Sequence, residues 1–451
     1  MSRVTDERQA AFAVLRRTFE KDEFTEVAFR DEAERRGLEG RSRAQAQRLA
    51  YGSVQRKGSS DALVHGFMKK GGRRPLPPVM AALRLGMYEI LFADATPDHA
   101  AVDQAVSLVR EAGADHAAGF VNAILRRTLR ERDQVTARLA DDSTMKAAAV
   151  AHSAPDWLVE LWWKELGPER ARALLAANNL PAERGVRVNT LRTTPDEVIA
   201  SLTSEDLELT PAEGPWPLAP PELLIARGSS AAVEEAASTG LVVSQSRGSA
   251  AVVEALDPRP NERVLDLCAG PGIKSGQIAA RIGQLGNMVS VEPDEERAAD
   301  IAEQLQRLGV HNGLVIEADA REAVLKGEFD RVLVDAPCSD LGALASRPDA
   351  RWRKSPAVID RVIELQAPIL AAAAESLVPG GTLVYSTCTI SRRENSDLVA
   401  RVAAEAGLEI DDLGALAPDL ADPHDSRFIQ LMPDRDRTTG FFISRMVKGR
   451  G

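Results

Sequence analysis

Asp266-Leu267-Cys268-Ala269-Gly270-Pro271-Gly272-Ile273-Lys274-Ser275 is the stretch whose reading decides the fold. It follows an apolar run, residues 263–267, that reads as a strand. Its glycines let the backbone approach a ligand closely where the next helix begins. Twenty residues after Gly272 stands Glu292, at the end of a second apolar run. A carboxylate at that distance and position is placed to meet the hydroxyls of a ribose. The third run, 314–317, ends near Asp319, a second acid at the same edge. A tight turn followed by a surface acid would give the same letters. The loop and the acid both at strand ends favour a nucleoside site.

Working outward, further runs at 331–335 and 382–386 alternate with helical stretches at 294–308 and 357–377. Strands alternating with helices predict an α/β, doubly wound, parallel-rich sheet that binds ligands at the strands' carboxyl ends. The fourth run ends in Asp335-Ala336-Pro337-Cys338-Ser339 and the fifth in Tyr385-Ser386-Thr387-Cys388-Thr389. Neighbouring strands would aim Cys338 and Cys388 into one crevice. A pyrimidine explains such a pair. Carbon-5 of cytosine is a poor nucleophile, and a thiolate adding to carbon-6 makes the ring electron-rich enough to attack an electrophilic methyl group. Asp335 is placed to bond the ring nitrogen or the exocyclic amine of the adduct. Lys274 is one neighbour that would favour the thiolate. Buried cysteines are also ordinary small hydrophobes, and for Cys268, inside the glycine loop, that is the preferred reading.

The chain has 451 residues, enough for two or three domains, with 44% hydrophobic and 27% charged residues, as in globular proteins. No run approaches the roughly 18 apolar residues of a membrane span, and the charged start of the chain has no apolar h-region, so neither membrane nor secretion is expected. A cytoplasmic protein follows. Three cysteines, none in a Cys-x-x-Cys pair and none beside a histidine, predict no metal and no disulfide framework. The net charge of −11 is uneven: residues 1–140 hold 24 Lys+Arg against 19 Asp+Glu, a balance of +5, which leaves −16 for the rest. A basic region on an acidic body can bind a phosphate backbone, and solvated helix faces would carry the same charges.

Residues 1–140 read as an all-α bundle from apolar spacing at Val14-Leu15-Phe19, Leu63-Val64-Phe67-Met68, Val79-Leu83-Met87-Ile90-Leu91 and Phe120-Val121-Ile124-Leu125-Leu129, punctuated by Gly71-Gly72 and Pro97. A middle region over 145–230 mixes a helix holding Trp157, Trp162 and Trp163 with one possible strand at 185–189. Five of the eleven residues in 211–221 are proline, which suits a linker or surface loop. The third region is 235–451. Arg347, Arg351, Arg353 and Lys354, with Trp352 among them, form a basic stretch suited to gripping phosphates or stacking a base.

The motifs at 266–275, 335–342 and 385–390 resemble three signatures of the Nop/Sun (Fmu) family of RNA cytosine-5 methyltransferases. Further similarity lies in Arg187-Val188-Asn189, Gln245, 347–353, 365–381, Glu394-Asn395 and Gly440-Phe441-Phe442. The resemblance implies a Rossmann-like domain using S-adenosyl-L-methionine, with Cys388 as nucleophile and Cys338 assisting product release. Cys268 to Lys274, Glu292, Asp319 and Asp335 match positions that bind the methyl donor or line its pocket. Arg48-Leu49-Ala50-Tyr51-Gly52, Leu85-Gly86-Met87-Tyr88-Glu89-Ile90-Leu91, Pro97-Asp98-His99-Ala100-Ala101-Val102 and Phe120-Val121-Asn122-Ala123-Ile124-Leu125-Arg126 resemble a NusB-like helical RNA-binding domain. In the small-subunit rRNA branch of the family such a domain precedes a small α+β RNA-recognition region and the catalytic domain. RNA is therefore the implied partner, as small-subunit rRNA or an assembly intermediate.

Two departures stand out. Gly270 and Ile273 replace an alanine and a glycine usual in the first motif, and Ser246 follows Gln245 where an aspartate is common. Ile273 requires a turn that tolerates a β-branched residue. Two other readings compete: a DNA cytosine-5 methyltransferase, whose nucleophile would be Cys338, and a NusB-like RNA-binding scaffold carrying an inactive methyltransferase fold.

Overall fold

The computed structural model describes residues 3–68, 73–93, 97–322 and 328–450. The chain packs as two compact units: Met1–Pro181 with Leu344–Ser355, and Ala182–Ala343 with Pro356–Gly451. No helix among the described residues is long and apolar enough to cross a membrane.

The first unit is helical. Helix Pro77–Leu91 is buried on every side from Val79 to Ile90, and a helix without a polar face belongs in the middle of a bundle. Its two buried charges are matched: Arg84 donates to Asp61 at 2.7 and 2.8 Å, and Glu89 accepts from Arg8 at 2.7 Å. Around it run Asp6–Glu20, Gly40–Gln55, Lys57–Phe67, Asp98–Glu111 and Ala118–Arg130. Two glycines of the NusB-like motifs are packing requirements. A Cβ on Gly52 would lie 2.1 Å from the Tyr88 ring, and one on Gly86 would lie 2.7 Å from Leu125. Pro97 caps the helix start, with His99 exposed in the first turn; Gly71-Gly72 lie outside the described residues. The Trp-rich segment forms helix Asp156–Ala177, broken at Gly167, whose φ of 78° precedes Pro168. It packs in this unit, whereas the strand expected beside it belongs to the other, so the middle region is divided.

Within the basic stretch, Arg351, Trp352 and Arg353 are spent on packing rather than presented to phosphates. Leu344–Ser355 rejoins the helical unit, and there Arg351 is buried, donating to the carbonyls of His152, Ser153, Asn178 and Leu344 and to Asn179 Oδ1 at 2.8–3.5 Å. Burial pulls its guanidinium down to about 9. Trp352 packs on the helical core, its Nε1 donating to the Val54 carbonyl at 2.8 Å, and Lys57 sits 4.7 Å over its ring. Arg353 pairs with Asp22 and Asp349. Arg347 remains exposed. Arginines scattered among apolar letters read the same whether they face water or carbonyls; only packing separates the cases.

The second unit holds two sheets. In the smaller, β1 (Gly185–Val188), β2 (Leu207–Pro211), β3 (Leu223–Gly228) and β4 (Val242–Ser244) pair antiparallel in the order β2-β3-β1-β4. The proline-dense run begins as the last residue of β2 and continues as the loop to β3, the surface-loop alternative. In the larger sheet, β5 (Arg263–Asp266), β6 (Asn287–Glu292), β7 (Gly313–Glu317), β8 (Phe329–Asp335) and β9 (Leu377–Thr387) are the five expected strands, all parallel. The order is β10-β12-β9-β8-β5-β6-β7, with β10 (Leu408–Ile410) and β11 (Ile429–Gln430) on β12 (Phe442–Lys448). β12 lies antiparallel to β9 and was not anticipated. Its first three residues are all buried, so the alternation that marks a half-buried strand is missing. From β5 the chain builds outward on both sides, and the carboxyl ends of β5 and β8 flank the switch point where such sheets bind ligands.

Candidate active site

Strand β5 ends on Asp266, fully buried. Its Oδ2 accepts from Ser275 Oγ at 2.7 Å, while Oδ1 is buried without a partner among the described residues. Burial holds this carboxyl up at about 6. Gly272 follows in the left-handed region, φ 88°, and helix Ile273–Ile282 begins at the next residue. Ile273 thus falls on the first helical position, where a β-branched residue fits. At Gly270 a Cβ would lie 2.4 Å from both Glu292 Oε2 and Arg297 Nη2. Both departures from the usual loop are therefore accommodated, and Gly270 lets the backbone pass directly over Glu292.

Glu292 ends β6 and is 2% exposed, with Oε2 3.2 Å from Arg297 Nη2. Asp319 stands just beyond β7 and is paired with Arg321, which holds its carboxyl at about 2. Cys268 packs among apolar side chains within the field of Asp266, Asp335, Glu292 and Asp319. Burial first, then those four carboxylates, pushes its thiol well up. Negative charge gathered around a glycine loop, with one buried carboxylate oxygen unpartnered, fits a cationic ligand bearing hydroxyl donors.

The loop is braced from below. Arg187, on β1 and 1% exposed, donates through Nε to Gln245 Oε1 at 2.6 Å and through Nη2 to the Ile273 carbonyl at 3.2 Å. Gln245 in turn donates to Gln277, and Gln277 to Glu222. This chain of amides ties the small sheet to the helix that follows the glycines. Asn189 donates to the carbonyls of Gly240 and Leu308, both at 2.8 Å.

At the ends of β8 and β9 the two other cysteines meet. Cys338 Sγ lies 3.4 Å from Cys388 Sγ, and both are half-buried. The hydrogen bond to Cys388, then burial, pushes the Cys338 thiol well above its usual value. Asp335 ion-pairs with Lys274, and its Oδ1 accepts from Ser386 Oγ at 2.7 Å. Lys274, read from the sequence as a neighbour that would favour the thiolate, is engaged with Asp335. Asp340 lies beside both sulfurs: its Oδ1 is 3.1 Å from Cys388 Sγ and 3.7 Å from Cys338 Sγ.

Sequence reasoning gave no role to Asp340 and named Glu394, Asn395 and the segment holding Gln366 only as family similarity. Glu394 accepts from Ser339 N at 2.8 Å and Ser339 Oγ at 2.5 Å, and Gln366 donates to the Pro337 carbonyl at 2.9 Å. The residues on either side of Cys338 are thus clamped. Asn395 does the same for Cys388, accepting from Thr387 Oγ1 at 2.6 Å and donating to the Thr389 carbonyl at 3.1 Å. Burial raises the Glu394 carboxyl. Gly342 lets the two loops touch: its N–H donates to the Cys388 carbonyl at 2.9 Å, and a Cβ would lie 2.3 Å from the Gly440 carbonyl. The available signal for the clamps was a buried-polar pair, Glu394-Asn395, shortly after the second cysteine.

Comparison with known proteins identifies the family and the regions of the chain that match it. Residues 253–447 match the family described as 16S rRNA methyltransferase RsmB/F, residues 5–130 the NusB family, and residues 154–215 the Methyltr_RsmF/B-like ferredoxin-like domain. The chain is 31% identical to "Probable ribosomal RNA small subunit methyltransferase B" of Bacillus subtilis (strain 168), covering 98% of this chain and 99% of that one. It is also 31% identical to the protein of the same name from Synechocystis sp., with the same coverage. The crystal structure of PH0851 matches at a TM-score of 0.80 over 99% of this chain and 100% of that one; at 23% identity the likeness shows the fold.

Proposed function

The chain belongs to the 16S rRNA methyltransferase RsmB/F family, and we propose that it methylates carbon-5 of a cytosine in small-subunit rRNA through a covalent bond between Cys388 and carbon-6. The observation that carries this reading is the meeting of two thiols, 3.4 Å apart, at the ends of adjacent strands beside a charged carboxylate–lysine pair. S-adenosyl-L-methionine supplies an electrophilic methyl group on a cationic sulfonium centre. The acid-ringed loop Cys268-Ala269-Gly270-Pro271-Gly272-Ile273-Lys274 suits it, with Glu292 for ribose hydroxyls, Asp319 at the same edge, and Asp335 beside Lys274.

The chain's own groups then divide the work. Cys388 forms the bond to carbon-6. Asp335, oriented by Lys274 and Ser386, bonds the ring edge where electron density accumulates. Cys338 assists release once carbon-5 carries its methyl group, and Glu394 and Asn395 keep the two sulfurs in register. The basic helical unit contributes affinity for the RNA backbone rather than chemistry. Substrate in an assembling subunit implies a cytoplasmic enzyme.

Two variants, incubated with methyl donor and rRNA and run on a denaturing gel, test the assignment. Cys388→Ala should abolish both methylation and cross-linking. Cys338→Ala should still attack and methylate once, then stay bound, leaving a protein–RNA band. A DNA-type enzyme gives the reverse pattern. A scaffold gives no product with either variant or with the unaltered chain. If both variants stay fully active without cross-linking, covalent catalysis by these cysteines is wrong.

A further inference from the structure

We propose that Cys338 and Cys388 are also a site of reversible oxidation, which a peroxide closes into a disulfide that cannot methylate. Closing the bond needs only the two thiols; the loss of methylation rests on the covalent reading above. The sulfurs lie 3.4 Å apart, against roughly 2.0 Å in a disulfide. Both residues follow adjacent parallel strands, β8 and β9, in register at Asp335 and Ser386. The loops that carry them are bonded to each other before Cys338 and after it. Ala336 N–H donates to the Ser386 carbonyl and Gly342 N–H to the Cys388 carbonyl, both at 2.9 Å. Closing therefore takes a turn of two side chains and roughly 1.4 Å of approach, with the backbone left in place.

Both thiols are half-buried, within reach of a small oxidant. Cys268 is half-buried too, but its neighbours are apolar side chains and carboxylates, and burial pushes its thiol well up. Proximity decides the product. A sulfenic acid standing alone proceeds to sulfinic and sulfonic acids, which thiols do not reverse. One with a second thiol at hand condenses to a disulfide, which they do. Cys338 thus gives the nucleophile a partner that turns permanent damage into a pause. In a compartment kept reduced, a disulfide of this kind is transient and redox-sensing rather than structural.

The step balances. Cys388 gives up its proton as its sulfur attacks one peroxide oxygen; the O–O bond breaks, and the departing hydroxide takes a proton to leave as water. Cys338 then gives up its proton as its sulfur attacks the sulfur of the Cys388 sulfenic acid. The S–O bond breaks, and a second water leaves. Two thiols are oxidised to one disulfide, and one hydrogen peroxide is reduced to two waters. A reducing dithiol runs the exchange backwards and restores both thiols.

The test treats the full chain with a small excess of hydrogen peroxide, then removes it. A chelator is present throughout, since paired thiols also hold thiophilic cations. Titrated after unfolding, the three thiols of the chain should fall to one, Cys268. Peptide mass mapping without reductant should join Cys338 to Cys388 within one chain, two hydrogens lighter than the separate peptides. Methylation of small-subunit rRNA with S-adenosylmethionine should be lost in proportion to the linked fraction and return with dithiothreitol. Cys338→Ala, treated alike, should lose its cross-linking to rRNA and not regain it, because Cys388 then carries two or three oxygens. Three free thiols, a link between two chains, or sulfinic acid at Cys388 in the unaltered protein overturns the proposal. In that case cross-linking by untreated Cys338→Ala still leaves the covalent reading standing. A complete Cys338–Cys388 link with methylation undiminished overturns the off state and the covalent reading together.

Discussion

Residues 335–342 and 349–354 are separated by only six positions in the chain, and each carries charged or reactive side chains, yet they spend them differently. In the first, a thiol and a carboxylate face another thiol, and Glu394, Gln366 and Gly342 hold the backbone on either side of them. In the second, the side chains themselves do the holding: Arg351 satisfies four carbonyls, Trp352 a fifth, and Arg353 two acids. A group is available for chemistry when something else fixes its position. Arg351, Trp352 and Arg353 are spent on holding the helical unit together.

The largest effect expected on that contrast is at Arg351. Arg351→Ala strands several buried carbonyls at about 1–3 kcal/mol each before relaxation, so unfolding free energy should fall by about 3–4 kcal/mol in denaturant titration. Methyl transfer per folded molecule should stay within about twofold. Normal stability with weakened RNA binding would return this segment to the phosphate-gripping role and break the comparison.

Glu292 sharpens it from the other side. The residue is buried like Arg351, but its partner Arg297 is an exposed side chain that can yield. Glu292→Ala should leave the melting temperature nearly unchanged and weaken S-adenosylmethionine binding by about 10- to 100-fold, about 1.4–2.8 kcal/mol, by calorimetry. Unchanged affinity would sink the ribose assignment.

The smallest effect belongs to the exposed basic residues of the helical unit. Arg41 and Arg48 lie one above the other on helix Gly40–Gln55, both exposed. Arg48→Gln should weaken rRNA binding by less than about 1 kcal/mol and lower the log–log salt slope by about 1. An unaltered slope would mean that this face serves something other than RNA. Cutting the chain near residue 145 is a poorer test, because it removes the Val54 carbonyl and Lys57 from Trp352 and so measures folding as well as affinity.

The five parallel strands, the helices between them and the helical bundle were legible because each rests on local periodicity and on turn chemistry that a few residues decide. The glycine loop, Glu292 and the two cysteines were legible for a related reason: strand ends in a doubly wound sheet all open on one edge. β12, β3 and β4 escaped because strands that are very short or open on consecutive buried residues carry no alternation, while β2 alternates over only Leu207 to Thr210 before the proline-dense run takes over. By itself, then, the sequence determined the sheet, its reactive edge and the identity of the groups brought there. Tertiary structure alone decided which neighbour each group has. It put Lys274 on Asp335, Asp340 on Cys388, and Arg351 and Trp352 into the helical unit. The physical reason is range: periodicity is set within a turn or a pleat, whereas a charge takes its meaning from whatever lies about 3 Å away, and that neighbour stands 48 residues distant for Asp340 and Cys388 and 298 for Trp352 and Val54.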